Sequence, residues 1–269
     1  MRILVINPFG GTEIYGHDNL ARVARPDTDF EIVNIGDVYP LKNNQWLYFR
    51  HECINGTLER ALQGQRDGYD AVFLSCQLDV GLYECRQLLS IPVTATLESA
   101  ALLAYQMGRS FSLLAVDYQN GQIQRMLLDI YGLSGKLASV RSFDIDANDL
   151  YPDRTPPHAV IDRVVDTARR CVEDDGAEAL IPGCTLAGSV LTHDGAAAMQ
   201  AAGAPIIDGM LAGFKLAEMW ADLARAGLPP VSRRGFFEQP PAEEYERLRR
   251  SIGKDATPLS TDSRLVVRG

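Results

Sequence analysis

The chain carries one segment twice, which restricts it to folds built from two equivalent units. Gly68-Tyr69-Asp70-Ala71-Val72-Phe73-Leu74-Ser75-Cys76 is echoed by Gly176-Ala177-Glu178-Ala179-Leu180-Ile181-Pro182-Gly183-Cys184, with Gly, an acid, Ala, an apolar run and Cys at matching offsets. Downstream, the step from Pro92 to Leu103-Ala104 has the same length as the step from Pro205 to Leu216-Ala217. Each copy reads as a buried strand that ends on a cysteine. Ligands of open α/β sheets bind outside the carboxyl ends of the strands, so two such units packed face to face aim both thiols into one cleft. A symmetric thiol pair suits proton exchange on opposite faces of one carbon.

Composition narrows the remaining classes. With 269 residues and 46% hydrophobic content, the chain can bury one large core or two small ones, and the repeat favours two. A net charge of −9 and a pI near 5.0 argue against nucleic-acid and anionic-membrane partners, which require a basic face. The opening Met1-Arg2-Ile3-Leu4-Val5-Ile6-Asn7-Pro8 is too short for the apolar core of a signal peptide, and no apolar stretch reaches spanning length. A cytoplasmic protein is expected. Cys53, Cys76, Cys85, Cys171 and Cys184 form no C-x-x-C pair and the histidines are scattered, so the expectation is reduced thiols and no metal site. Cys53, Cys85 and Cys171 fall in helical patterns, where a cysteine serves as a small buried hydrophobe.

Apolar runs with β-branched residues alternate with helix-period segments, the pattern of βαβ units and a mainly parallel sheet. Strands are expected near 2–7, 29–34, 70–76, 91–95, 111–116, 137–142, 178–183 and 205–208. Helices are expected near 45–65, 82–89, 98–107, 120–131, 157–175, 188–202 and 209–226, the one near 157 being marked by Thr155-Pro156-Pro157. The repeat divides the chain into one lobe of residues 1–96 with about 208–228 and a second of residues 97–207. Residues 229–269, with Pro229-Pro230, Pro240-Pro241 and a charged run from Glu243 to Arg250, read as a peripheral tail. An arm onto a neighbouring subunit with a disordered end fits that composition.

Cys76 and Cys184 are the candidate catalytic residues. Each sits where a buried strand opens into a loop before a helix, and backbone N–H groups there lower a thiol pKa from its free value of about 8.5. A core cysteine is the plainer reading of either alone, but their equivalence within the repeat favours catalysis. Gly10, Gly11 and Gly16 miss the G-x-G-x-x-G spacing and no P-loop lysine motif occurs, so no dinucleotide cofactor is expected. His17, His51 and His193 lack any motif that would pair them with a cysteine nucleophile.

Further segments carry a resemblance. Ile6-Asn7-Pro8, Cys76 with Asp79 and Gly81, Pro92, Gly108-Arg109-Ser110-Phe111-Ser112, Tyr131-Gly132-Leu133, Gly183-Cys184 and Ile206-Ile207-Asp208-Gly209 occur in this order from residue 1 to about 235. Together they resemble the hydantoin and allantoin racemase branch of the aspartate/glutamate racemase superfamily. The resemblance implies an α/β fold of two pseudo-symmetric Rossmann-like lobes, each with a mainly parallel four-stranded sheet, and an active site between them. It also implies a racemase without cofactor in which the thiolate of Cys76 or Cys184 takes a proton while the other thiol delivers one. Backbone N–H groups after each thiol would hold the developing enolate.

The substrate-facing positions implied by this resemblance are Asn7, Gln77, Leu78, Tyr118 and Thr185. Several depart from the branch. Phe9-Gly10-Gly11 stands where Asn-Thr usually follows the first Asn-Pro, so an apolar wall replaces a polar contact. Gln77-Leu78-Asp79-Val80 replaces the common Phe-Gly-Asp-Pro, and Thr185 is closer to amino-acid racemases. Ala115-Val116-Asp117-Tyr118 resembles the tyrosine-bearing loop of maleate isomerases and arylmalonate decarboxylases, relatives in the same superfamily.

The primary expectation is a racemase or epimerase of a hydantoin-like ring or amino-acid derivative, working as a homo-oligomer on a small molecule. A maleate-type cis-trans isomerase, with one thiolate adding to a double bond, is the enzymatic alternative. A non-catalytic two-lobed binding protein is the other, although it gives the paired thiols no purpose.

Overall fold

Strand β1 (Arg2–Asn7) is buried from Ile3 to Asn7, the pattern of a strand covered on both faces. Its side chains alternate between two cores: Ile3 and Val5 pack with Leu20, Phe73 and Phe214, whereas Leu4 and Ile6 pack with Leu62, Leu74 and Leu82. Strands β2 (Asp29–Asn34), β3 (Ala71–Leu74) and β4 (Val93–Ala95) complete a parallel sheet of order β2-β1-β3-β4. A second parallel sheet, of order β6-β5-β7, comprises β5 (Phe111–Ala115), β6 (Leu137–Ser142) and β7 (Ala179–Pro182). The computed structural model describes residues 1–9, 13–35 and 46–255.

The strand expected at 205–208 is reduced to a bridge between Ile206 and Leu180, so among the described residues the second sheet has three strands where four were expected. Pro205 has no N–H to give, and the chain enters a helix at Gly209. Only the Pro205 carbonyl and the Ile207 N–H pair with Leu180.

The described helices are α1 (Glu13–Val23), α2 (Leu47–Arg66), α3 (Leu82–Leu88), α4 (Thr96–Met107), α5 (Tyr118–Tyr131), α6 (Pro157–Glu173), α7 (Thr185–Asp194), α8 (Ala196–Gln200), α9 (Gly209–Arg225) and α10 (Ala242–Ser251). Helix α6 begins at Pro157, as its proline pair predicts, because a first-turn N–H has no partner to lose. Helix α9 returns to the first sheet, where Met210, Phe214, Ala217 and Ala221 cover Ile3 and Val5.

Helix α1 is absent from the sequence reading. Its Gly16, His17, Asp18 and Asn19 are poor intrinsic helix formers, and packing on α7 and α9 supplies what propensity lacks. Leu20 is fully buried there, and Asn19 Nδ2 donates to the Ser189 carbonyl at 3.0 Å. The helix expected at 188–202 starts earlier, at Thr185, and is interrupted at Gly195.

The tail docks on its own chain. The Arg233 guanidinium donates to the carbonyls of Arg86, Gln87 and Leu89 around the C-terminus of α3 and to that of Phe237. Gln239 Nε2 donates to the Leu88 carbonyl at 3.0 Å, and Glu59 of α2 pairs with Arg249 and Lys254. Arg233→Ala strips these carbonyls of a charged donor and is expected to cost about 1.5–3 kcal/mol, measured by denaturant unfolding. Gly10, Gly11 and residues 256–269, within the tail whose end was expected to be disordered, lie outside the described residues. Among the described residues no helix is long and apolar enough to cross a membrane.

Candidate active site

The first thiol follows β3. Ser75 N–H donates to the Ile6 carbonyl at 2.9 Å, which places Cys76 beside the carboxyl end of β1 and its buried Asn7. Cys76 is 8% exposed and packs in one cluster with Phe9, Leu78, Val80 and Leu97. Phe9, expected from the sequence as an apolar wall, is 5% exposed and belongs to that cluster. The peptide of Leu78 is held at both ends: its N–H points at Cys76 Sγ at 3.5 Å, and its carbonyl accepts from Arg50 Nε and Nη2 at 3.3 and 3.2 Å.

The second thiol follows β7. Gly183 N–H donates to the Leu114 carbonyl at 2.7 Å, and Gln124 Nε2 donates to the Gly183 carbonyl. Cys184 is the N-cap residue of α7 and is half-buried. It thus faces the unpaired N–H groups of a helix N-terminus, a setting that favours an anion. Thr185 is the first residue of that helix, with its hydroxyl oxygen buried and unpartnered.

One side chain spans the two loops. Gln77, next to Cys76, is buried and donates through Nε2 to the carbonyl of Pro182, two residues before Cys184, at 2.8 Å. The Gln77 amide therefore braces one thiol loop against the other, and its Oε1 is buried without a partner. The thiols are close enough that charge on Cys184 opposes ionisation of Cys76.

Burial pushes both thiols above the ordinary range, contrary to the lowering expected from the sequence. At Cys76 desolvation outweighs the Leu78 N–H, and the Cys184 and Asp79 charges add to it while Arg50 opposes it. At Cys184 desolvation again dominates, the Ala187 and Leu186 amides oppose it, and Asp117 reinforces it. The amides lie where the sequence placed them, but withdrawing a thiolate from water costs more than they return.

Asn7, Gln77, Leu78 and Thr185 lie on or beside the thiol-bearing segments. Tyr118 does not share their burial: it opens α5 and is 70% exposed, while Asp117 caps the helix by accepting from Asn120 N–H at 2.8 Å. Arg50 and Gln124 were missed by sequence reasoning, since each acts on a backbone carbonyl far along the chain. Among the described residues no three His, Cys, Asp or Glu side chains gather as a metal-ligand set.

Comparison with known proteins agrees with this architecture. The family model for Asp/Glu/Hydantoin racemase matches residues 3–217. A hydantoin racemase from Pseudomonas sp. (strain NS671) is 29% identical over 259 residues, covering 96% of this chain and 99% of that protein. Solved allantoin racemases from Klebsiella pneumoniae and Pseudomonas fluorescens superpose with TM-scores of 0.77 and 0.76 at 26% and 25% identity. Each covers 89% of this chain, and the chain covers 94% and 97% of them. A chain with this fold, matched by the family model over most of its length, is an isomerase that belongs to the Asp/Glu/Hydantoin racemase family.

Proposed function

We propose that the chain interconverts the enantiomers of a hydantoin-like ring by proton transfer between Cys76 and Cys184, with no cofactor. The observation that supports this most is the Gln77 brace, because a side chain beside one thiol reaches the segment that carries the other. In hydantoin and allantoin the stereogenic C–H lies between a ring nitrogen and a carbonyl, so loss of its proton gives an enolate. One thiolate removes that proton, and the opposing thiol delivers its own to the other face. The product leaves the two cysteines with their protonation states exchanged. Phe9, Leu78 and Val80 line the same cluster as Cys76, and such apolar walls suit a neutral ring better than a dicarboxylate. Tyr118, on which the cis-trans isomerase alternative depends, stands exposed.

The reading includes a cytoplasmic homo-oligomer and the lobe division inferred from the repeat. Its test is the decay of optical rotation of enantiopure 5-substituted hydantoins and of allantoin, before and after exhaustive chelation. Racemisation that survives chelation and stops on thiol alkylation is the expected result; activity lost to chelation and restored by metal would count against it.

A pH dependence follows from the thiols. Both are raised in the free enzyme, so the fraction carrying one thiolate grows about tenfold per unit until the lower of the two titrates. kcat/KM is therefore expected to climb from about pH 6 to beyond about pH 8 without levelling. A plateau reached below neutral pH would show a thiolate already formed in the free enzyme.

A further inference from the structure

The two copies of the repeat hold their thiols differently. Cys184 is oriented by α7, which begins at the next residue. After Cys76 no helix starts until Leu82, so the first thiol stands on a loop that needs another anchor. At the offset where the second copy has Ala187, inside α7, the first has Asp79.

Asp79 has a backbone φ of 43°, and Asp144 is the other described non-glycine residue with positive φ. Such a conformation costs about 1–3 kcal/mol and persists only when its surroundings enforce it. Here it closes a turn in which Asp79 N–H donates to the Cys76 carbonyl at 2.9 Å, and the Asp79 carbonyl accepts from Leu82 N–H at 3.2 Å. Gly81, with φ 83°, then redirects the chain into α3. Within this turn the Leu78 N–H faces Cys76 Sγ.

The side chain explains what holds the turn. Asp79 is 2% exposed, and its carboxylate receives three donors from two other elements. Oδ1 accepts from Leu97 N–H at 2.8 Å, and Oδ2 accepts from Glu98 N–H at 2.9 Å and from the Tyr131 hydroxyl at 3.0 Å. The first two are orphan amides of the opening turn of α4, whose own N-cap residue, Ala95, has no side chain to offer. Asp79 thus caps α4 from a distant loop and is clamped in return.

We propose that Asp79 is a positioning residue for the first thiol: clamped by α4 and by Tyr131 of α5, it fixes the left-handed turn that sets where Cys76 Sγ points. The inference rests on Cys76 being one of the two reacting thiols. The groups around the carboxyl are Glu98 with its ion-pair partner Arg86, Tyr131, Arg50, and the Cys76 and Tyr83 side chains. Burial pushes the carboxyl up to about 7 against the pull of the Leu97 and Glu98 amides.

Asp79→Asn places an amide NH2 against donors and opens the clamp, and Tyr131→Phe removes one donor and leaves the fold's packing intact. The expected result for Asp79→Asn is a kcat lower by about 10²-fold, the scale of a small misplacement of a reacting group, with KM nearly unchanged. Tyr131→Phe should show the same split at smaller size. In both, the rate of iodoacetamide labelling, read per cysteine by peptide mass spectrometry, should change at Cys76 and stay constant at Cys184. That labelling requires no substrate, so it reports on the turn even if racemisation of every tested ring fails. An unchanged kcat with unchanged Cys76 labelling in either folded variant overturns the proposal, as does an equal change at both thiols. If Asp79→Asn does not fold, Tyr131→Phe decides on the same criteria.

Discussion

Cys76→Ala and Cys184→Ala are each expected to lower racemisation by about 10²–10⁴-fold, the range for losing a positioned general acid or base. On the proposed two-thiol mechanism, inversion needs a base on one face of the carbon and an acid on the other, so neither cysteine would stand in for its partner. The substitution removes one atom from Cys76, which is buried in a well-packed cluster, and from the half-buried Cys184. Melting temperatures should therefore move little, and circular dichroism with a thermal scan checks that the loss is chemical. Cys53→Ala, Cys85→Ala and Cys171→Ala serve as controls, because those thiols are buried within helices α2, α3 and α6 rather than at the end of a strand.

Gly183→Ala is expected to be strongly damaging although it leaves both thiols in place. A Cβ there would lie 2.6 Å from Gln124 Oε1, 2.9 Å from Ala115 Cα and 3.0 Å from the Leu114 carbonyl oxygen. The last two are backbone atoms of β5 and its end, which cannot swing aside. Overpacking of this kind costs about 1–3 kcal/mol, and relief must come from the segment that carries Cys184 at the next position. A loss of kcat of about 10²-fold is expected from the displaced thiol, together with a lower unfolding midpoint. Unchanged kcat in a folded Gly183→Ala protein would show that the thiol does not depend on this contact.

The strand ends bearing the two cysteines were legible because a buried parallel strand writes itself as an uninterrupted apolar run, and the second copy confirmed the first. Helix α6 was legible for a similar reason, its proline pair marking the entry locally. Helix α1 was hidden because its residues favour other conformations and only its contacts with α7 and α9 make it helical. The missing fourth strand of the second sheet follows from Pro205 and from the helix that begins at Gly209, a competition that no periodicity reveals.

Within the site, residue types were readable and partners were not. Gln77 was read as a substrate contact, and what no sequence pattern shows is that its amide also donates to the Pro182 carbonyl 105 positions away. Arg50 and Gln124 act likewise on the carbonyls of Leu78 and Gly183. Every residue offers such a carbonyl, so only the folded chain identifies the one that is used. The thiol pKa shift was misjudged for the same reason: the nearby amides could be read from the strand-to-helix transition, whereas the depth of burial could not.

The central claim is that two thiols act on opposite faces of one carbon. The most direct measurement follows exchange of the substrate's stereogenic hydrogen in deuterium oxide, by NMR, with each pure enantiomer and with Cys76→Ala and Cys184→Ala in parallel. Native protein should place deuterium at that carbon from both enantiomers while the optical rotation decays. Each variant, retaining a single base, should exchange the hydrogen of one enantiomer without inverting it, and the two variants should choose opposite enantiomers. Inversion at the native rate by either variant would contradict the two-thiol account.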